Sequence, residues 1–191
     1  QKHRQMSLTP SNMLSLGTKA PDFELWDTVS NSTKTLKKIK GSNGTLVMFI
    51  CNHCPFVVHI NEALVSIAIN LQNKGIAVVA ISSNDIENYP QDGPEQMKLH
   101  AKKSNYPFPY LYDETQSIAK AYDAACTPDF FLFDSELKLV YRGQLDDSRP
   151  GNALPITGND VLHAVECMTK NKANTSLQKP SIGCNIKWKT H

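Results

Sequence analysis

The sequence predicts an α/β fold: a mixed central sheet with helices on both faces, together with an N-terminal hairpin. A buried strand, an amphipathic helix and a second buried strand follow one another over residues 45–81, and such a unit is parallel and right-handed by default. Apolar residues 130–133 and alternating residues 138–143 flank a turn at 134–136, which predicts an antiparallel hairpin. A mixed sheet accounts for both kinds of pairing.

The N-terminal hairpin is predicted from two short segments. Residues 23–26 alternate between apolar and polar side chains, residues 27–32 have turn composition, and residues 33–36 fit the returning strand. A second turn at 41–44 precedes the strand at 45–50, whose composition is that of a fully buried strand.

The segment after this strand has a helical period near 3.6, and its apolar positions share one face. Pro55 suits the first turn, where its missing N–H is not needed, and Gly75 ends the helix. The shared face consists of Val57, Ile60, Leu64, Ile67, Ala68 and Leu71.

The later elements are predicted from turn and capping residues. They are a strand at 76–81, a helix at 94–103, a short strand at 110–112, a helix at 114–122, the second hairpin and a helix at 159–169. A length of 191 residues suits one domain, which we place at residues 16–170. Residues 1–15 are predicted to form an N-terminal arm, and residues 171–191 a polar C-terminal tail packed on the domain.

Charge and hydropathy limit the classes of partner. The 20 Lys and Arg residues against 18 Asp and Glu give a net charge of +2, too small to argue for nucleic acid or a membrane surface. The longest apolar run is far shorter than the roughly 18–20 residues of a membrane span. The first residues are polar and unlike a signal peptide, which favours the cytoplasm. A signal removed earlier would instead place the protein outside it.

A pair of cysteines separated by two residues lies where the buried strand meets the helix. The unpaired N–H groups and the dipole of a helix N-terminus favour a thiolate, so Cys51 is predicted to be a nucleophile with a lowered pKa. Cys54 can then attack the resulting mixed disulfide. A protonated His53 would lower the thiol pKa further and make the disulfide more oxidising.

The other cysteine chemistry is less specific. Five cysteines (51, 54, 126, 167 and 184) are too few and too scattered for a disulfide scaffold, and an odd number leaves at least one free thiol in an unpaired chain. The alternative for Cys51 and Cys54 is half of a structural zinc site, but no second such pair supplies the other ligands. We therefore expect no metal and no organic cofactor.

Thr127 and Pro128 stand at the entrance of an apolar strand. A proline there is unusual because it removes a donor from the sheet. A cis bond would turn the preceding backbone toward an incoming partner chain, whereas the alternative is an ordinary trans proline. With the two cysteines upstream, we favour the cis form.

These motifs resemble a known family. Four stretches are similar to the thioredoxin-like branch of the alkyl hydroperoxide reductase/thiol-specific antioxidant (redoxin) superfamily, and the resemblance covers nearly the whole chain after residue 15. They are Ala20-Pro21-Asp22-Phe23, Cys51-Asn52-His53-Cys54-Pro55, Tyr112-Asp113-Glu114-Thr115 and Cys126-Thr127-Pro128-Asp129. The resemblance implies a thioredoxin-like (redoxin) domain that exchanges disulfides through Cys51 and Cys54, with Pro128 as its cis proline.

Two positions depart from related patterns. The peroxide-reducing members have Thr or Ser three residues before the reactive cysteine, whereas this chain has Met48. Thioredoxin has a buried acid six residues before its first cysteine, and Thr45 stands there here. The first departure argues against direct peroxide reduction, and the second leaves the base for Cys54 unidentified.

Cys126 and Cys184 are a possible second thiol pair. The resemblance implies that Cys126 lies near the dithiol, and Ile182, Ile186 and Trp188 could anchor the tail that carries Cys184. We expect the two to form a disulfide or to relay oxidation from Cys51 and Cys54; the alternative is two unrelated structural thiols.

The resulting hypothesis is a thioredoxin-like thiol-disulfide oxidoreductase in which Thr127 and Pro128 guide the partner. Its partners would be protein or small-molecule thiols and disulfides and a redox protein that donates or accepts electrons. One alternative is a thiol-dependent, peroxiredoxin-like peroxidase with Cys51 as its peroxidatic cysteine. Another is a non-catalytic module of the same fold that binds a partner or a metal.

Overall fold

The structure is a computed structural model, and it describes residues 8–190. The strands are β1 (Leu8–Pro10), β2 (Glu24–Asp27), β3 (Ser32–Thr35), β4 (Gly44–Phe49), β5 (Ile76–Ser82), β6 (Tyr110–Tyr112), β7 (Cys126–Thr127), β8 (Asp129–Phe133), β9 (Leu139–Gly143) and β10 (Ile182–Asn185). The helices are α1 (Leu36–Ile39), α2 (Pro55–Gln72), α3 (Pro94–Ser104), α4 (Ser117–Ala121) and α5 (Asn159–Thr169), with a short 3-10 helix at Pro90–Asp92.

A seven-stranded mixed sheet forms the centre, in the order β3-β2-β6-β5-β4-β8-β9. Strands β4, β5 and β6 are parallel, and the remaining pairs are antiparallel. The predicted α/β class, the N-terminal hairpin and the hairpin of β8 and β9 are confirmed. No helix within residues 8–190 is long and apolar enough to cross a membrane.

The central strand β4 divides two apolar layers, because successive side chains of a strand point to opposite faces. Leu46 and Met48 pack with residues of α2, α3 and α5, while Val47 and Phe49 pack with residues of α1 and α4. Helices therefore cover both faces, as predicted, and every residue of β4 is buried. The strand ends at Phe49, two residues before Cys51.

The face predicted for α2 is the face that it buries. All six of its predicted apolar positions are buried, and each large aliphatic side chain contributes about 1.5–3 kcal/mol by leaving water. Pro55 opens the helix, and Gly75 follows its end with a φ of +76°, where glycine avoids the strain of a side chain. The packed helix fixes the position of its first turn against the end of β4.

The chain termini form a second sheet that the sequence did not predict. Strand β10 lies between β1 and β7, and both pairings are antiparallel. The arm and the tail are therefore tied together; the first seven residues of the predicted arm lie outside the described range. Of the predicted tail anchors, Ile186 is buried, whereas Ile182 and Trp188 are exposed.

Gly183 allows the close approach of β10 to β7. A Cβ atom at this position would lie 2.0 Å from the Thr127 carbonyl oxygen, which belongs to backbone and cannot rotate away. We expect Gly183→Ala to lower the free energy of unfolding by about 1–3 kcal/mol, the usual cost of overpacking. Denaturant unfolding measures it, with Ile182→Ala as the control because that side chain is exposed on the same strand. Equal stability of the two variants would contradict the close packing.

Candidate active site

The two cysteines of the motif lie at the junction of β4 and α2. Cys51 follows the end of β4, and Cys54 is the N-cap residue of α2. Both are buried, with 4% of Cys51 and 3% of Cys54 exposed. Cys54 rather than Cys51 is therefore the residue at the helix terminus, and the Val57 N–H donates to its backbone carbonyl oxygen.

Thr127 and Pro128 lie against this dithiol. The peptide bond between them is cis, which is the form that we favoured from the sequence. The Cys51 Sγ is 3.5 Å from the Thr127 Oγ1, and the Cys54 Sγ is 3.3 Å from the Thr127 carbonyl oxygen. The antiparallel pairing of β4 with β8 explains this approach, since it sets Phe49 opposite Asp129 at the edge where the cysteines begin.

Cys184 is a third sulfur at the site. Its Sγ lies 2.7 Å from the Cys54 Sγ, and Cys184 is 4% exposed. The distance exceeds that of a disulfide bond, about 2.05 Å, and all five cysteines are free thiols in the structure. The register of β10 accounts for the contact because it sets Cys184 opposite Thr127. Thus the C-terminal strand contributes a thiol to the centre of the site.

The three thiols share one ionisation pattern. Hydrogen bonds from Cys184 and Cys51 lower the pKa of the Cys54 thiol, and its burial opposes them. The hydrogen bond to Cys54 raises the pKa of Cys51, with further contributions from burial and the negative charge of Asp92. The hydrogen bond to Cys54 likewise raises the pKa of Cys184. The directions of these shifts favour Cys54 as the first of the three thiols to ionise.

This order differs from the sequence prediction that the pKa of Cys51 is lowered. The prediction treated the motif as an isolated dithiol at a helix terminus. In the structure the helix begins at Pro55 with Cys54 as its N-cap residue, and the Cys184 thiol of β10 lies 2.7 Å from the Cys54 sulfur.

Asp92 is a buried acid beside the motif, and it lies between β5 and α3, where the sequence predicts neither a helix nor a strand. Asp92 accepts a hydrogen bond from the Asn52 N–H at 3.1 Å and another from the Asn84 amide at 3.0 Å. Its carboxylate is also 3.7 Å from the His53 Nδ1, and the His53 side chain is 59% exposed. The Tyr110 hydroxyl donates to the Asn52 side chain at 2.8 Å. Sequence reasoning missed Asp92, because a single acid in a loop gives no periodic signal of burial.

The residues predicted to form a second thiol pair have different surroundings. The Cys126 thiol points to the carbonyl oxygens of Pro128, at 3.6 Å, and Ser181, at 3.9 Å, and burial raises its pKa. Cys184 contacts Cys54 instead. The relay of oxidation through Cys184 thus has a direct contact, whereas a bond between Cys126 and Cys184 stays a prediction. Within residues 8–190, no group of three or more His, Cys, Asp and Glu side chains has the arrangement of a metal site.

Thr127 is also paired to the chain's own tail. The sequence predicted that Thr127 and Pro128 guide the backbone of a partner. In the structure the backbone of β7 pairs with β10, which sets Thr127 opposite Cys184 and Cys126 opposite Asn185. Strand β10 of this chain therefore occupies one edge of β7, the strand that was predicted to guide a partner.

Known proteins with the same architecture were found by comparison. The profile of the AhpC/TSA family matches residues 16–142. An uncharacterised conserved protein from Geobacillus kaustophilus is 53% identical over 97% of this chain and 98% of its own, with a TM-score of 0.95. A hypothetical protein from Sinorhizobium meliloti 1021 is 51% identical over 96% of this chain and 100% of its own, with a TM-score of 0.92.

A third structure shares the fold at low identity. The thioredoxin domain of a thiol-disulfide oxidoreductase from Bacteroides vulgatus is 19% identical, covers 80% of this chain and 99% of its own, and has a TM-score of 0.63. This likeness shows the thioredoxin-like fold alone. No curated protein matches the chain significantly.

Proposed function

Because the chain belongs to the AhpC/TSA family, we propose that it is a thiol-disulfide oxidoreductase whose reactive groups are Cys51 and Cys54. The observation that carries the proposal is the contact of both sulfurs with Thr127, at 3.5 Å and 3.3 Å, beside a cis proline. Thiol-disulfide exchange needs no metal or organic cofactor, because the two sulfurs carry the electrons.

The first step is a proton transfer within the dithiol. The Cys54 thiolate accepts the proton of the Cys51 thiol, and the Thr127 hydroxyl favours the Cys51 thiolate by hydrogen bonding. Cys54 is therefore the base that deprotonates Cys51. The Cys51 thiolate then attacks one sulfur of a substrate disulfide, forms a mixed disulfide and releases the other sulfur as a thiolate that takes up a proton.

The second step returns the substrate as a thiol. The substrate thiolate released in the first step takes up the proton of Cys54. The Cys54 sulfur then attacks the Cys51 sulfur, the bond between Cys51 and the substrate breaks, and the second substrate sulfur leaves as a thiolate that takes up a proton from solvent. The products are a Cys51–Cys54 disulfide and a second substrate thiol, so two electrons have passed from the protein to the substrate. A dithiol donor, such as a redox protein, must then reduce the protein disulfide. The reverse sequence oxidises a substrate dithiol.

The peroxidase alternative has less support. Peroxide-reducing members use a hydroxyl three residues before the reactive cysteine, and Met48 is a fully buried apolar side chain at that position. Antioxidant peroxide reduction through Cys51 is therefore the second reading. The other alternative is a non-catalytic binding module of the same fold. Such a module would give no role to the lowered pKa of Cys54.

The proposal is tested by turnover and by reduction potential. We expect the reduced protein, with dithiothreitol as electron donor, to reduce the disulfides of insulin and to leave hydrogen peroxide consumption at the rate of dithiothreitol alone. Stabilising a thiolate stabilises the reduced form, so the Cys51–Cys54 potential should be less negative than the roughly −270 mV of thioredoxin. Equilibration in dithiothreitol and glutathione buffers measures it. Peroxide turnover that survives Cys54→Ser, without insulin turnover, would overturn the proposal.

A further inference from the structure

We propose that Cys184 is a third redox-active thiol, presented by a strand of the chain that occupies the partner position, and that it takes over the disulfide from Cys51 by bonding to Cys54. The proposal rests on the proposed function for the first disulfide but concerns a different bond. It assigns a reactive role to a residue that lies beyond the range matched by the family profile, residues 16–142.

The contact of the two sulfurs is the first support. The Cys184 Sγ is 2.7 Å from the Cys54 Sγ, within hydrogen-bond distance. A disulfide requires an approach of only about 0.6–0.7 Å more, given a bond length of about 2.03–2.05 Å. Both residues are buried, with 3% of Cys54 and 4% of Cys184 exposed.

The strand that carries Cys184 is held at several points. Strand β10 is the central strand of its sheet, with Cys184 opposite Leu8 on one side and Thr127 on the other. The Ser181 hydroxyl before the strand donates to the Pro128 carbonyl oxygen at 2.5 Å. A side chain at Gly183 would collide with the Thr127 carbonyl oxygen, so the glycine permits this close pairing. The position of Cys184 is thus set by backbone pairing rather than by a free tail.

The strand also stands in the place of a partner. Proteins often bind an extended peptide by adding it to the edge of a strand. Here the strand before the cis proline is β7, and its edge is covered by β10. Strand β10 pairs with that backbone and brings a cysteine to the dithiol. The tail therefore has two properties of an extended substrate: backbone pairing at Thr127 and a sulfur against Cys54.

The exchange balances without an added oxidant. Once the Cys51–Cys54 disulfide has formed, the Cys184 thiolate attacks the Cys54 sulfur. The bond between Cys51 and Cys54 breaks, a Cys54–Cys184 bond forms, and Cys51 leaves as a thiolate that takes up the proton of Cys184. The three cysteines hold one disulfide and one thiol before and after the exchange, so their overall oxidation level does not change. The oxidised protein is then a mixture of two isomers, one of which has a free Cys51.

Oxidation of the Cys51→Ser variant tests the new bond. Glutathione disulfide supplies the oxidising equivalents: the Cys54 thiolate forms a mixed disulfide with glutathione, and Cys184 displaces the glutathione. Trypsin leaves Cys54 in the peptide 41–74 and Cys184 in the peptide 173–187, with Cys126 and Cys167 in other peptides. We expect mass spectrometry of a non-reduced digest to show 41–74 linked to 173–187. The linked peptide should be lost in Cys51→Ser/Cys184→Ser.

Glutathionylated Cys54 without a link to Cys184, in a variant with the circular dichroism of the wild type, would overturn the proposal. In the wild type, alkylation after oxidation by one equivalent should label Cys51 in a fraction of molecules, and Cys184→Ser should abolish that label. Insulin turnover by the wild type reports the proposed function separately, because the linkage assay uses a variant without Cys51. Turnover without the link defeats only this inference, and the link without turnover defeats only the proposed function.

Discussion

Replacing Cys51 with Ser is expected to lower insulin disulfide turnover by a factor on the order of 10³ or more, the scale of losing a nucleophile. A serine hydroxyl is not ionised near neutral pH and cannot form a disulfide, so the mixed disulfide with the substrate does not form. Cys54 and Cys184 remain in place and retain the charge on Cys54. The measurement is the initial rate with dithiothreitol as donor, after subtraction of the rate without protein.

Cys167→Ser is the matched control for this variant. Cys167 is also a buried cysteine, but it lies on α5, where its sulfur is 3.5 Å from the His163 Nε2. We expect its turnover to remain within about twofold of the wild type, because the residue takes no part in the exchange. If Cys51→Ser kept more than about a tenth of the wild-type rate, Cys54 would be the attacking thiol, and the assigned order of attack would be wrong.

The fold was predictable wherever hydrophobic periodicity was long. In the helix from Pro55 the apolar residues recur with the helical period, and the strands on either side of it are continuously apolar. The residues that they bury could therefore be predicted from the sequence alone. The helix at Leu36–Ile39 was missed because a four-residue helix has hardly more than one turn in which to show a period. The pairing of the termini was missed because Leu8–Pro10 and Ile182–Asn185 are short strands without alternation.

The predictable part of the site was the part close in sequence. Cys51 and Cys54 were identified by their spacing, and Pro128 was identified by its position before an apolar strand. The contact of Cys54 with Cys184 joins residues 130 positions apart, and its cause is the register of a strand that the sequence did not reveal. Pairing between strands so far apart in the chain leaves no local pattern in the sequence from which it could be predicted.

The charge of the site follows from that unforeseen contact. Local reasoning put the thiolate on Cys51, since a helix N-terminus and His53 lay nearby in sequence. The exposed His53 faces Asp92, and hydrogen bonding with Cys184 and Cys51 lowers the pKa of Cys54. A negative charge is more favourable on Cys54, which has two hydrogen-bonding thiols, than on Cys51, which is buried near the Asp92 carboxylate. The number of donors therefore decides the order of the pKa values.

Replacing Cys54 with Ser is accordingly expected to remove the thiolate of the reduced protein at neutral pH. In the wild type the pKa of Cys54 is lowered, so thiolate absorbance near 240 nm should persist below the ordinary thiol pKa of about 8.5 and disappear only on acidification. In Cys54→Ser the remaining thiols at the site are buried, and burial raises a thiol pKa. Absorbance should then appear only above about pH 8.5.

Two variants decide where the charge lies. Cys51→Ser removes one of the two donors to Cys54, so it should keep the neutral-pH thiolate with a pKa nearer the ordinary value. Cys126→Ser should leave the titration below pH 8.5 unchanged, because burial raises the pKa of that thiol. Loss of the signal in Cys51→Ser and its survival in Cys54→Ser would place the charge on Cys51. Cys54 would then lose its role as the base, and the attack on the substrate would begin from a preformed Cys51 thiolate.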